Sequence, residues 1–386
     1  MKKYLPLILS LILVSAGCSR TIDYQERLCR GQWFWNSDLM YEDCLMFLQE
    51  PNSPASANLL FTPSRLISLT SAAGDVEYTP GRDFTFSPGS RTITLTADSR
   101  IPRKDLAEMY PPPGPWAEGS IPACRDKNCN LFWAEGHVFH DLQVVVTYEH
   151  QISGRVDLQV HAFSWPSRLP KYDSRSLPRT REKLCKQENI KLVLFGDSIS
   201  TGANASGVTG APPYQPFFGQ MVANILAKKY SASITFENFS RGGMSSGWGK
   251  ENINLVADRK PDLVIFAWGI NDAAGRISPD IYKTNMQAQI DAVRAVSPQA
   301  EFILVATMTA NPEWSAFSGE LYDQYRDMLA RLCDSSVVLA DVTSVWEEVL
   351  RHKKFADLTG NGVNHPNDFG HRLYAEVILS LLIPPQ

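Results

Sequence analysis

Apolar positions along the chain follow two patterns. Between residues 36 and 165, short apolar stretches are separated by turn residues. Leu66-Ile-Ser-Leu-Thr70, Arg91 to Ala97 and Leu142 to Tyr148 have strand composition with partial alternation. Val156 to Phe163 alternates apolar and polar for four periods, as a half-buried strand does. Pro80-Gly81, Pro88-Gly89 and Pro111 to Gly114 punctuate the run. Many short strands with such turns predict a β-rich domain over 36–165, built as a sandwich or jelly roll.

From Lys191 onward strands and helices alternate. Leu192 to Phe195, Ile234 to Phe236, Leu263 to Trp268, Glu301 to Ala306 and Val337 to Ala340 read as five strands. Continuous apolar runs of this kind suit parallel strands buried on both faces. Phe218, Met221, Val222, Ile225 and Leu226 make a stripe at helical spacing, and Tyr282, Met286, Ile290 and Val293 make another. Ser278-Pro279 starts the second helix, with Ser278 as cap. Leu321 to Leu332 and Phe369 to Leu382 read as further helices. The alternation predicts an α/β domain over 191–386 with a doubly wound parallel sheet. Residues 166–190, rich in Pro, Ser and basic side chains, are expected to form a surface linker.

Composition adds little to the fold and more to the location. The 386 residues suffice for two domains, and 44% apolar with 20% charged is ordinary for a globular protein. The net charge of −4 and the lack of a basic run give no sign of a nucleic-acid partner. Lys2 and Lys3 precede the apolar run Leu5 to Val14, and Ser15-Ala16-Gly17 lead into Cys18. This segment resembles a bacterial lipoprotein signal, residues 1–17, with lipid on Cys18 and a tether over 18–35. The resemblance implies export and attachment to a membrane of the cell envelope, the outer one in a Gram-negative host. An ordinary secretory signal is the alternative. The other six cysteines are even in number, and an exported chain often pairs such cysteines. Proximity in sequence favours Cys29–Cys44 and Cys124–Cys129, leaving Cys185–Cys333.

The candidate chemistry lies at the ends of the predicted parallel strands, where such sheets collect their ligands. Gly196-Asp197-Ser198-Ile199-Ser200 ends the first strand. Asn238 to Gly243 follows the second, Gly269-Ile-Asn271-Asp272 the third, and His365-Pro366 precedes the last helix. Taken in this order, the four blocks resemble those of the SGNH (GDSL-type) hydrolases. The resemblance covers about half the chain, and it implies a flavodoxin-like fold and hydrolysis of esters. It gives Ser198 as nucleophile and His365 as base, since a serine hydroxyl needs a neighbouring base to attack. It gives the backbone N–H groups of Ser198 and Gly243 and the Asn271 amide as the oxyanion hole.

The sequence departs from the family pattern at one place. The family carries Asp three residues before the histidine, where this chain has Gly362. Asp357 and a backbone carbonyl remain as alternatives for orienting His365. Asp368 reads better as the cap of the last helix. No metal or other cofactor is expected. A β-rich domain ahead of an SGNH domain resembles carbohydrate esterase family two, which implies an acylated, most simply acetylated, carbohydrate as substrate. Trp268 and Trp248 are candidates to line a sugar site. A lipase or thioesterase, or a surface protein that only binds, would share much of the pattern.

Overall fold

The computed structural model describes residues 23–87, 89–151 and 169–386. The expected lipidation site Cys18 and the expected strand Val156 to Phe163 lie outside the described residues.

Five parallel strands form the α/β sheet: β8 (Ile190–Gly196), β9 (Ile234–Asn238), β10 (Leu263–Ala267), β11 (Glu301–Ala306) and β12 (Val337–Asp341). They lie in the order β12-β11-β10-β8-β9. Counted from β8, this is the 2-1-3-4-5 order of flavodoxin-like sheets. The direction of winding reverses between β8 and β10, so a crevice opens beyond their carboxyl ends. Leu192, Val193, Leu194 and Phe195 have no exposed surface. Each such side chain contributes roughly 1.5–3 kcal/mol on burial, so β8 is anchored on both faces. Ser278 caps the helix Pro279–Val296 as expected, its Oγ accepting from Ile281 N.

Among the described residues, seven strands precede this sheet: β1 (Leu39–Gln49), β2 (Ser56–Asn58), β3 (Pro63–Ser71), β4 (Phe84–Phe86), β5 (Thr92–Leu95), β6 (Arg103–Asp105) and β7 (Gln143–His150). They join in one sheet ordered β3-β7-β1-β2-β5-β4, with β6 parallel to the end of β1. The long strand β1 serves two sets of partners: Leu39 to Met46 pairs with β7, and Phe47 to Gln49 with β6. One continuous apolar core joins the two sheets, running from Met40, Phe47 and Tyr148 to Leu192, Phe369 and Leu379. Polar bonds stitch the same junction. Gln143 Nε2 donates to the carbonyls of Ala356 and Thr359, and its Oε1 accepts from Asn367 Nδ2 at 3.0 Å.

Three expectations are corrected. The described part of the supposed tether is packed: Tyr24–Cys29 is helical, and Leu28, Trp33 and Phe34 are buried. The supposed linker contains the helix Pro178–Cys185 with Leu184 fully buried. Both stretches carry apolar side chains among polar ones, and the α/β core takes them up. No described cysteine is in a disulfide. Cys29 Sγ donates to Ile225 O and Cys44 Sγ accepts from Asn367 Nδ2, so each has its own partner. Cys124 and Cys129 sulfurs touch at 2.9 Å without a bond, and Cys333 Sγ turns to Leu329 O.

Candidate active site

Ser198 leaves β8 at its carboxyl end on a turn that only a glycine permits. A Cβ on Gly196 would lie 2.4 Å from Ala267 O of the neighbouring strand and 2.3 Å from Ser200 Oγ. The turn is braced by Asp197, whose Oδ1 accepts from Ile199 N at 3.0 Å. Asp197 is buried, and burial pushes its carboxyl up to about 8 against the pull of those backbone N–H groups. It is therefore a neutral acid at neutral pH.

His365 faces this turn. Its Nε2 lies 2.9 Å from Ser198 Oγ, the geometry of a hydroxyl donating to an imidazole base. The loop that carries it is held from within. Asn361 Oδ1 accepts from Val363, Asn364 and His365 N, while Gly360 N and Thr359 Oγ1 both donate to His365 O. Asn311 pins it from outside, through its backbone N to Val363 O and its Nδ2 to Gly362 O.

The glycine block rests against the nucleophile. A Cβ on Gly242 would lie 3.7 Å from Ser198 Cβ, and Gly243 adopts φ +77° with open space beside it. Asn271 Nδ2 donates to Met244 O at 2.9 Å, which ties the third block to the second. Asp272 is buried behind them and accepts from Ser246 N at 3.0 Å and from its Oγ at 2.5 Å. Burial raises its carboxyl despite those bonds. The structure thus brings Ser198, His365, the glycine pair and Asn271 to one crevice.

Asp357 is not there. Its Oδ1 accepts from Met46 N at 2.8 Å and its Oδ2 from Lys354 N at 3.0 Å, with the Lys353 ammonium 3.9 Å away. It fastens β1 to the α/β region. Asp368 is not the cap either: Asn367 Oδ1 accepts from Gly370 N, and Asp368 Oδ1 instead accepts from Ser206 N. Trp268 is core, wholly buried with its Nε1 donating to Gln289 Oε1. Trp248 is half-buried, its ring 5.6 Å from that of Phe195.

The groups that do face His365 Nδ1 were not anticipated. Asn204 Oδ1 lies at 2.8 Å, Asn361 Nδ2 at 3.0 Å and Glu135 Oε2 at 3.5 Å. Glu135 comes from the segment between β6 and β7, far from His365 in sequence. That segment packs directly on the histidine loop. Ala134 N donates to Asn361 O, and Asn204 Nδ2 donates to Gly136 O. Gly362, at φ +86°, lies beneath it: a Cβ there would be 2.5 Å from Phe132 O and 2.7 Å from Phe139 Cζ. The position where the family carries Asp therefore has no room for a side chain. The one sequence signal was the asparagine shortly after the serine block, which reads equally as a turn residue.

A small cleft elsewhere, lined by Tyr24, Arg27, Phe34, Tyr41 and Arg372, is structural. Its Glu376 accepts from Tyr24 OH at 2.6 Å and Phe34 N at 2.8 Å, and Arg372 meets Glu42 at 3.0 Å.

Solved structures resemble about half of this chain. A two-domain esterase active on acetylated mannans, co-crystallised with mannopentaose, aligns at 20% identity and TM-score 0.43, over 54% of this chain and 53% of that one. This chain thus matches about half the length of that esterase. A carbohydrate esterase family 3 protein from Talaromyces cellulolyticus aligns at 19% identity and TM-score 0.39, over 49% of this chain and 95% of that one. An acetyl xylan esterase from Geobacillus stearothermophilus aligns at 22% identity and TM-score 0.39, over 49% and 93%. A search of the curated proteins found no match. Residues 194–373, the stretch that holds all four blocks, match the family model described as GDSL-like lipase/acylhydrolase. Over those residues the chain carries a GDSL/SGNH hydrolase domain.

Proposed function

We propose that the protein is a serine esterase that removes short acyl groups, acetyl foremost, from carbohydrate. The contact of Ser198 Oγ with His365 Nε2 carries the reading. In the first half-reaction Ser198 Oγ attacks the ester carbonyl carbon as its proton passes to Nε2. The C–O bond to the alcohol then breaks, and the alcohol leaves with that proton. Water repeats the sequence on the acyl-enzyme, releases the acid and restores Ser198. The oxyanion is met by the N–H groups of Ser198 and Gly243 and by the Asn271 amide. Met244 O takes one hydrogen of that amide, which aims it, and the amide carries a second.

A carbohydrate substrate is supported by the rim. The exposed Arg241 and the half-buried Asn364 give it hydroxyl-pairing groups. The exposed ring of Trp116 stands edge-on to Trp133 at 5.7 Å, and Trp133 packs on the cluster that contains Val363. Flat rings beside polar groups suit a sugar face. Release of acetate from acetylated polysaccharide, and of p-nitrophenol from acetyl against long-acyl esters, tests this. Faster turnover of long-acyl esters would make the protein a lipase. Export and lipid anchoring at Cys18 belong to the same reading. Cys18→Ser in the native host should leave an unprocessed or released protein, and a variant still processed and membrane-bound would refute it.

A further inference from the structure

We propose that the third position of the catalytic triad is divided between two positioning residues, Asn204 of the α/β region and Glu135 of the β-rich region. The proposal rests on the serine-esterase reading. In it, the β-rich region completes the active site instead of serving only as an accessory.

The hydrogen bonds fix which atom does what. Gly136 O only accepts, so the NH2 of Asn204 must face it, at 2.9 Å. That turns Asn204 Oδ1 toward His365 Nδ1 at 2.8 Å. A carbonyl oxygen also only accepts, so Nδ1 carries the proton. The lone pair of Nε2 is thereby presented to Ser198. Asn361 is oriented by the same logic. Its Oδ1 is committed to three backbone N–H groups, so its NH2 faces outward. Its two hydrogens go to the two acceptors Glu135 Oε1 at 3.1 Å and Asn364 Oδ1 at 3.2 Å, and its 3.0 Å approach to His365 Nδ1 passes no hydrogen to that atom.

An amide can fix the tautomer but brings no charge. The imidazolium formed during attack is stabilised by a negative group behind it. Glu135 Oε2, 3.5 Å from Nδ1, is that group. Burial raises its carboxyl, but hydrogen bonds with His365, Asn361 and Asn204 outweigh burial and hold it below the usual range. It is ionised at neutral pH. Gly362 explains why the charge arrives from so far away. Phe132 O and Phe139 fill the space a side chain would need there, and the segment that blocks the site is the one that delivers Glu135.

The test uses the full chain with two readouts: turnover of p-nitrophenyl acetate, and the rate at which a fluorophosphonate labels Ser198. Glu135→Gln keeps the shape and the bond to Asn361 but removes the charge. It should lower kcat and the labelling rate by about 10- to 100-fold, with KM and thermal midpoint nearly unchanged. Glu135→Asp, which keeps the charge, should recover several-fold over Gln. Asn204→Ala should cost about 1000-fold, approaching the loss known when a triad imidazole takes the wrong tautomer. A Glu135→Gln variant within two-fold of wild type in both readouts would overturn the role of Glu135, and an Asn204→Ala variant within ten-fold would overturn that of Asn204. If Glu135→Gln lowers the thermal midpoint, Glu135→Asp decides: recovery supports the charge, and equal loss refutes it. Wild-type labelling at Ser198 with unaffected variants sinks this proposal alone. Failure of wild-type Ser198 to label sinks the esterase reading and this proposal together.

Discussion

The turn that carries Ser198 is held by its own neighbourhood. Gly196 fits against Ala267 O of the adjacent strand, Asp197 braces Ile199 N, and the buried run Leu192 to Phe195 anchors the strand behind. The loop that carries His365 is held from three directions in the chain. Asn311 reaches it from the loop after β11, Asn204 from beyond the serine turn, and residues 132–136 from the β-rich region. The first construction is local and stiff. The second depends on docking between distant segments, so damage to it should spread further than the site of change.

Substitutions test that contrast. Ser198→Ala should remove activity by a thousand-fold or more, on the order seen when a serine nucleophile is lost. Its thermal midpoint should stay close to wild type. A large drop in midpoint would show that the serine end is not self-contained. Gly362→Asp, which restores the family's residue, should fail to restore the family's function. Positive φ and the crowding against Phe132 O and Phe139 should each cost roughly 1–3 kcal/mol. Denaturant melts and turnover on the acetyl ester should both fall. A stable, active Gly362→Asp enzyme would mean that segment 132–139 does not block the histidine loop.

Asp357→Asn separates stability from catalysis at the same end. The variant loses a carboxylate that accepts from Met46 N and Lys354 N beside Lys353. Stability should fall by about 1–3 kcal/mol, with kcat within two-fold. A loss of turnover near ten-thousand-fold, as a missing triad carboxylate gives, would return Asp357 to the active site.

The smallest effect, counted per pH unit, concerns the serine end. Asp197 titrates near 4 when exposed and is pushed up to about 8 in the fold by burial. Between those values the folded protein binds a proton that the unfolded chain has released. Stability should therefore fall as pH rises through this window, by roughly 1.4 kcal/mol per unit at most from this group. Asp197→Asn mimics the neutral acid and should flatten that slope between pH 5 and 8 in thermal melts. An unchanged slope would mean that Asp197 is ionised in the fold.

The same contrast explains what could be read without coordinates. Every block at the end of a parallel strand was legible, because strand, turn and reactive residue are contiguous in sequence. The parallel sheet followed from the alternation of elements, and its flavodoxin-like order from the family resemblance. The histidine was legible as a block, but its partners were not. Asp357 looked suitable because it lies eight residues away, yet its buried carboxylate was needed by β1. Glu135 stands in a loop with no strand pattern, and nothing along the chain links it to His365. Trp268 misled for the opposite reason, since its place next to Gly269 looked like a site while its ring fills the core. The packed segments 23–35 and 178–185 were misread because their few apolar residues are diluted by charged ones.

The crowding at Gly362 also limits how this sequence can change over generations. Two arrangements are chemically equivalent: a carboxylate three residues before the histidine, or one lent by a remote loop. Moving from the second to the first needs segment 132–139 to withdraw before an aspartate fits, and withdrawal takes Glu135 with it. Each single step passes through a poorer catalyst. A lineage that has borrowed its carboxylate in this way is committed to keeping both halves of the chain together. Its β-rich half then diverges under the constraint of a catalytic part, even where it touches no substrate.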